Sequence, residues 1–339
     1  MNLFVSNTSS NIKNIKLPWV EKYRPKELDE ILLDDFIKIK IKKILEEKSI
    51  PNMILTGEPS TGKTSTILFL AKHIYCSSYD DLVLELNASD DRGLSIISNK
   101  IYPFCKKNTT NYDINKLIIL DEADSITIKA QNLLSNIISV FRNTTRFIFI
   151  CNDSNQIVES IQSKCILIKY PKISYLNFYN KIKYICDNEK VPYDDNGIKS
   201  LIYVSNYDIR QAINNLECLF FSYNLLSEDT IYKIIDKPKP YYIYNILKEC
   251  YNKQLLNAIK IVKSLYDKGY SPSDILLSFT RTIFDYDNKE FDIEELSEES
   301  KLEICDIINK SYIKINQGLD TLLQLCGCIS KIYKYINKL

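Results

Sequence analysis

Between residues 17 and 171, short apolar runs alternate with stretches in which apolar positions recur every third or fourth residue. The runs at 53–56, 82–86, 117–120, 147–151 and 165–169 are rich in Ile, Leu, Val and Phe and read as strands. Helical spacing fills 94–106 and 124–141. Strands separated by helix-length crossovers predict a parallel sheet covered by helices, an α/β layer fold. Beyond Pro171 the strand-like runs thin out, and 175–188, 197–204 and 208–221 carry helical periodicity. Lys237-Pro238-Lys239-Pro240 is a break, because proline resists helical backbone both at itself and at the residue before it. Four or five amphipathic helices are expected after it, with a polar acidic loop near 285–299. The expected organisation is a disordered leader at 1–16, a core at 17–171, a small helical lid at 172–236 and an all-helical domain at 237–339.

Composition narrows the function. With 339 residues, 45% of them hydrophobic and 26% charged, the chain can bury two or three cores. No apolar run approaches the roughly 20 residues that cross a bilayer, so no membrane is expected as a partner. The polar opening, Met1-Asn2-Leu3-Phe4-Val5-Ser6-Asn7, lacks the pattern of a signal peptide. A net charge of +1 gives no general field for nucleic acid, so a DNA partner must meet basic residues gathered on one surface. Ten cysteines without a C-x-x-C pair, beside the single histidine His73, argue against tetrahedral zinc. They argue for reduced thiols in an intracellular compartment.

The chemistry concentrates in two motifs. Gly57-Glu58-Pro59-Ser60-Thr61-Gly62-Lys63-Thr64, followed by Ser65, matches G-x-x-x-x-G-K-[ST] between a strand-like run and a helical one. In such a loop main-chain N–H groups cradle phosphates, the lysine reaches the β and γ oxygens and the threonine serves the metal. Ser60 stands where glycine is more usual, and a left-handed backbone there would cost about 1 kcal/mol. The run 117–120 ends on Asp121-Glu122-Ala123-Asp124, which presents carboxylates to that metal from the end of a buried strand. The two motifs together predict binding of a nucleoside triphosphate with magnesium, and its hydrolysis.

Further segments appear in a telling order: Trp19-Val20-Glu21-Lys22-Tyr23-Arg24-Pro25, Leu86-Asn87-Ala88-Ser89-Asp90-Asp91-Arg92-Gly93, Leu120 to Ser125, Ile161-Gln162-Ser163-Lys164-Cys165 and Asp208-Ile209-Arg210-Gln211-Ala212. With them, residues 17–240 resemble the small subunits of replication factor C, the AAA+ clamp loaders of archaea, eukaryotes and some large DNA viruses. Over the last hundred residues only helical texture and length agree. The resemblance implies a P-loop AAA+ core, a helical lid and an all-α collar that joins subunits. It implies ATP and Mg2+, with Thr64 and Asp121 at the metal and Glu122 polarising the attacking water. Asn152 would be the polar sensor that orients that water, Arg210 the sensor that reaches the γ-phosphate in cis, and Val20, Arg24 and Pro25 would line the adenine pocket. Asn87 would restrain the catalytic glutamate until DNA arrives.

The same resemblance implies contacts beyond the chain. Lys164 occupies the place of an arginine finger that enters the neighbouring subunit's site, and a lysine lacks the planar fork of arginine. Ser135 and Asn136 replace paired arginines of the family. Arg92, Lys100, Lys106 and Lys107 would track the DNA backbone, and Ile97, Ile101 and Phe104 would plug a pocket of the sliding clamp. That stripe at i, i+4, i+7 also fits a core face. Implied partners are the other clamp-loader subunits, large and small, a sliding clamp and primer–template DNA. The implied setting is the nucleus for a cellular eukaryote, otherwise the cytoplasm or a viral replication site. Two alternatives stand beside this reading: a nucleotide-binding subunit that shapes the ring without turnover, and a different AAA+ DNA machine. The latter usually appends a winged-helix domain, and no hairpin-plus-helix pattern follows Pro240.

Overall fold

The computed structural model describes residues 17–89, 97–107, 114–235, 237–284 and 297–337. The expected leader at 1–16, Arg92 and most of the acidic loop near 285–299 lie outside the described residues. By its internal packing the chain divides into two compact units, residues 1–224 and 225–339.

In the first unit, β1 (Met53–Gly57), β2 (Val83–Asn87), β3 (Lys116–Asp121), β4 (Thr145–Cys151) and β5 (Ile166–Tyr170) pair in parallel in the order β2-β3-β4-β1-β5. Each strand falls within a residue or two of its expected place, and the α/β fold class is borne out. Successive side chains point to opposite faces of a strand. Leu117 and Ile119 of β3, with Ile148 and Ile150 of β4, therefore enter one core, while Ile118, Leu120, Phe147 and Phe149 enter the other. Burial of each such side chain contributes roughly 1.5–3 kcal/mol, so a sheet packed on both faces is a stiff base for the loops at its ends. Parallel pairing brings the carboxyl ends of β3, β4 and β1, neighbours in the sheet, to one edge, where ligands of open α/β sheets bind.

The lid helices Tyr175–Glu189, Asp195–Val204 and Ile209–Tyr223 bury Phe178, Ile182, Leu201 and Leu216. Onto them folds the short helix Trp19–Lys22. The Trp19 ring lies 5.3 Å from that of Phe220, and the Trp19 backbone N–H donates to Glu217 Oε2 at 3.1 Å. Lys22 and the Tyr23 hydroxyl both reach Glu189, at 2.5 and 2.6 Å.

The expected helix at 94–106 is described from Ile97 on, as a wide π-type turn Ile97–Ile101 running into the α-helix Tyr102–Lys106. Pro103 lacks the N–H that a regular helix would donate four residues back, which accounts for the widened turn before it. Ile97 and Ile101 are 3% and 0% exposed within the core beneath the sheet, and Phe104 packs against it half-buried. This corrects the clamp-plug expectation for Ile97 and Ile101, whose side chains are already spent on the protein's own core. Lys116, 3% exposed, donates to the Phe104 and Cys105 carbonyls at 2.8 and 3.1 Å and to the Lys107 carbonyl, closing the end of that helix.

The second unit is helical: Glu228–Ile234, Pro240–Tyr251, Leu255–Asp267, Pro272–Phe284, Glu298–Asn316 and Leu322–Ile336. Ile243, Val262, Phe279, Ile308 and Ile329 share its core. Glu228–Ile234, expected as part of the lid, groups with this unit. All ten cysteines are free thiols. Among the described residues no helix is long and apolar enough to cross a membrane.

Candidate active site

A cleft of about 430 Å³ opens at the carboxyl ends of β1, β3 and β4, within the first unit. Residues 59–65 of the phosphate loop, Asp121, Glu122 and Asn152 line one end; Val20, Arg24 and Pro25 line it too, as do Ile209, Arg210 and Ile213 of the lid.

The loop needs both of its glycines. Gly57 has φ +149, and a Cβ there would stand 2.5 Å from the Tyr170 carbonyl oxygen of β5. Gly62 has φ +91, and its Cβ would meet Ile31 at 2.9 Å. Ser60 adopts φ +62, the left-handed backbone foreseen as a cost of about 1 kcal/mol. Its hydroxyl donates to Asp208 Oδ1 at 2.5 Å. A buried hydrogen bond to a charged group is worth about 1.5–3 kcal/mol, less at this half-buried position, so the bond offsets the strain.

Lys63 opens the helix Lys63–Tyr75 and is 7% exposed. Its ammonium donates to the carbonyls of Gly57 and Glu58, both at 2.7 Å, and to Asn152 Oδ1 at 3.3 Å. Burial pulls Lys63 below lysine's ordinary range; Cys151 and Asp121 oppose that shift and Arg210 adds to it. Among the described residues Lys63 has no carboxylate in ion-pair contact. A buried cation that lines a cleft and has no carboxylate in direct contact among the described residues suits an anion.

Next to it, the Thr64 hydroxyl donates to Asp121 Oδ2 at 2.9 Å, and Asp121 Oδ1 accepts the Glu122 N–H at 2.9 Å. Among the described residues no cluster of three His, Cys, Asp or Glu side chains is placed to hold a metal. The Thr64 hydroxyl and the Asp121 carboxylate are oxygen donors of the kind magnesium takes, one or two from the protein with substrate phosphate and water completing its shell. Glu122 itself has φ +53 and an exposed side chain at the mouth of the cleft, a strained backbone of the kind that gathers at functional sites.

Asn152 follows β4 and is fixed at three points. Its N–H donates to Asp124 Oδ2 at 3.1 Å, its carbonyl accepts from the Thr56 hydroxyl at 3.2 Å, and its amide oxygen meets Lys63. Asn87 sits opposite Asp121 in the β2–β3 register, but its side-chain oxygen accepts from the N–H and hydroxyl of Ser89, at 3.1 and 3.0 Å. Arg210, exposed, reaches the cleft from the first turn of Ile209–Tyr223, whose N-cap is Asp208.

Other expected residues lie elsewhere. Lys164 is outside the cleft lining; its ammonium donates to the Ser135 carbonyl, the Ser135 hydroxyl and the Ser139 hydroxyl at 2.8, 2.7 and 2.8 Å. Lys100, Lys106 and Lys107 are exposed. Lys106 lies over the Tyr102 ring at 4.7 Å and Lys107 is 3.6 Å from Asp81. Sequence reasoning missed Lys181, which lines the cleft from the lid, and the bond between Ser60 and Asp208. The N-cap role of Asp208 could have been read from Asp before a helical run, but not what else its carboxylate holds.

Comparison with known proteins adds independent findings. The profile of the ATPase family associated with various cellular activities (AAA) matches residues 53–170, and that of the replication factor C C-terminal domain matches 238–331. The chain is 37% identical to replication factor C subunit 2 of Arabidopsis thaliana, over 96% of both chains. It is 35% identical to replication factor C subunit 4 of Schizosaccharomyces pombe, over 97% of this chain and 95% of the other. The replication factor C small subunit of Sulfolobus acidocaldarius is 33% identical, over 94% and 97%. Among solved structures, the RuvB Holliday junction branch migration motor of Thermotoga maritima superposes with a TM-score of 0.52 at 16% identity, over 67% of this chain and 78% of the other, a likeness of fold.

Proposed function

The chain belongs to the replication factor C small-subunit family, and from that premise we propose that it binds and hydrolyses ATP as one subunit of a hetero-oligomeric clamp loader that places a sliding clamp on primer–template DNA. The observation that carries the reading is the placement of Lys63, Thr64, Asp121 and Asn152 at one end of a single cleft.

In this reading the main-chain amides of residues 57–64 and the Lys63 ammonium hold the phosphates, while Thr64 and Asp121 hold Mg2+. The bound ion supplies charge that neutralises the oxygens of the transferring group. Glu122 accepts the proton of the attacking water, Asn152 orients that water and Arg210 reaches the γ-phosphate from the lid. Val20, Arg24 and Pro25 take the base. Lys100, Lys106 and Lys107 serve the DNA backbone through charge alone, so that contact is salt-dependent. Leu256, Leu302 and Leu323, 75%, 61% and 79% exposed on the C-terminal helices, are apolar surface for a collar of neighbouring subunits.

The test is ATPase activity of the assembled complex with and without clamp and primed DNA, comparing wild type with Glu122→Gln in this subunit. Loss of a positioned base costs about 100- to 10,000-fold at this site, and ATP binding should persist. Equal rates in the two complexes would favour a subunit that shapes the ring without turnover.

A further inference from the structure

The phosphate loop and the lid are joined by a bond between residues 148 positions apart. Ser60 Oγ donates to Asp208 Oδ1 at 2.5 Å. The same oxygen accepts from the backbone N–H groups of Arg210 and Gln211, at 2.8 and 3.2 Å. One carboxylate oxygen thus fixes both the loop and the first turn of the helix that carries Arg210 into the cleft. The backbone on both sides of the joint is strained: Ser60 has φ +62, and Asn206 and Tyr207, which lead into Asp208, have φ +52 and +60. Such conformations persist in non-glycine residues only where the surroundings hold them.

We propose that Ser60 and Asp208 form a latch that sets the lid helix against the phosphate loop, and so sets Arg210 for the third phosphate of the nucleotide. Both are positioning residues, and the proposal rests on the cleft being an ATP site. Glycine at position 60 would relax the loop backbone yet could not make the bond. Relief of strain alone predicts that Ser60→Gly binds all nucleotides as well as before or better. A latch predicts that the variant loses its preference for ATP over ADP.

The experiment is equilibrium titration of the full chain, in magnesium, with fluorescent analogues of ATP and ADP. Ser60→Gly is expected to weaken ATP by about threefold to tenfold and ADP by less than about twofold, the scale of coupled neighbouring sites. Arg210→Ala is expected to do the same, and the double variant little more, because the two changes remove one effect. Asp208→Asn keeps both the cap and an acceptor oxygen and should retain the preference, whereas Asp208→Ala should lose it. An unaltered ATP-to-ADP ratio in Ser60→Gly, or effects of Ser60→Gly and Arg210→Ala that multiply, overturns the latch while leaving the nucleotide site intact. Failure of the wild-type chain to bind either nucleotide overturns the reading of the cleft first, and the latch with it.

Discussion

Lys63 and Lys164 each rest an ammonium on three oxygens of the protein, yet one is buried at the head of a cleft and the other lies on an exposed turn. Lys116 is a third case, buried like Lys63 and also bonded to three carbonyls. Burial alone therefore does not mark a ligand site. Lys116 closes the end of a helix, where the helix dipole favours a cation, and it is not among the residues that line the nucleotide cleft. Lys63 lines the cleft, and two of its three acceptors are carbonyls of the very loop that would wrap a phosphate. Geometry separates a structural cation from a binding one when hydrogen-bond number does not.

The same substitution, lysine to methionine, should split the three. At Lys63 it removes an ammonium that burial already disfavours, and the released carbonyls belong to half-buried Gly57 and exposed Glu58, where water can replace the donor. Thermal stability should therefore hold or rise slightly. Affinity for magnesium–ATP should fall by at least about 100-fold, since a charged hydrogen-bonding partner of the phosphates is lost. Paired melting curves and nucleotide titrations check both halves. A large loss of stability with nucleotide binding retained would put Lys63 in the same class as Lys116.

At Lys116 the order reverses. Methionine fills the same volume but leaves carbonyls of residues 104, 105 and 107 without their donor at a buried site. The expected cost is about 1–3 kcal/mol in denaturant unfolding of the full chain, with nucleotide affinity unaltered. The helix Tyr102–Lys106 carries Lys106 and leads to Lys107, so weaker DNA binding at low salt should accompany that loss.

How far the sequence could be read follows from the same contrast between local and distant causes. The strands were legible because apolar runs bounded by polar turns leave few alternatives. Thr64 and Asp121 were legible because their chemistry fixes their spacing from a strand end. Ile97, Ile101 and Phe104 were not, since a stripe at i, i+4, i+7 is the same whether it faces a partner or the chain's own core; the first two proved fully enclosed. The place of Glu228–Ile234 was set by packing rather than by the Lys-Pro-Lys-Pro break that seemed the natural border. Ser60 looked like a blemish in its motif because its partner, Asp208, is far away along the chain. Ser135, noted as a departure, turns out to hold Lys164, so two oddities of sequence are one local arrangement.

That pair sets up the smallest of the three effects. Lys164 itself is exposed and the buried Ser135 hydroxyl keeps a partner of its own in the Ser160 carbonyl, so Lys164→Met should change the stability of the isolated chain by less than about 1 kcal/mol. Its nucleotide affinity should stay the same, because Lys164 does not line the chain's own cleft. The low cost of leaving Ser135 and Ser139 is what would let the side chain swing outward to a neighbouring subunit. If it does, Lys164→Met lowers the ATPase rate of the assembled complex by roughly tenfold while Lys164→Arg, with its planar fork, matches or exceeds wild type. If the assembled rates are the same in all three, Lys164 stays on its own serines, and its resemblance to a finger is one of position without function.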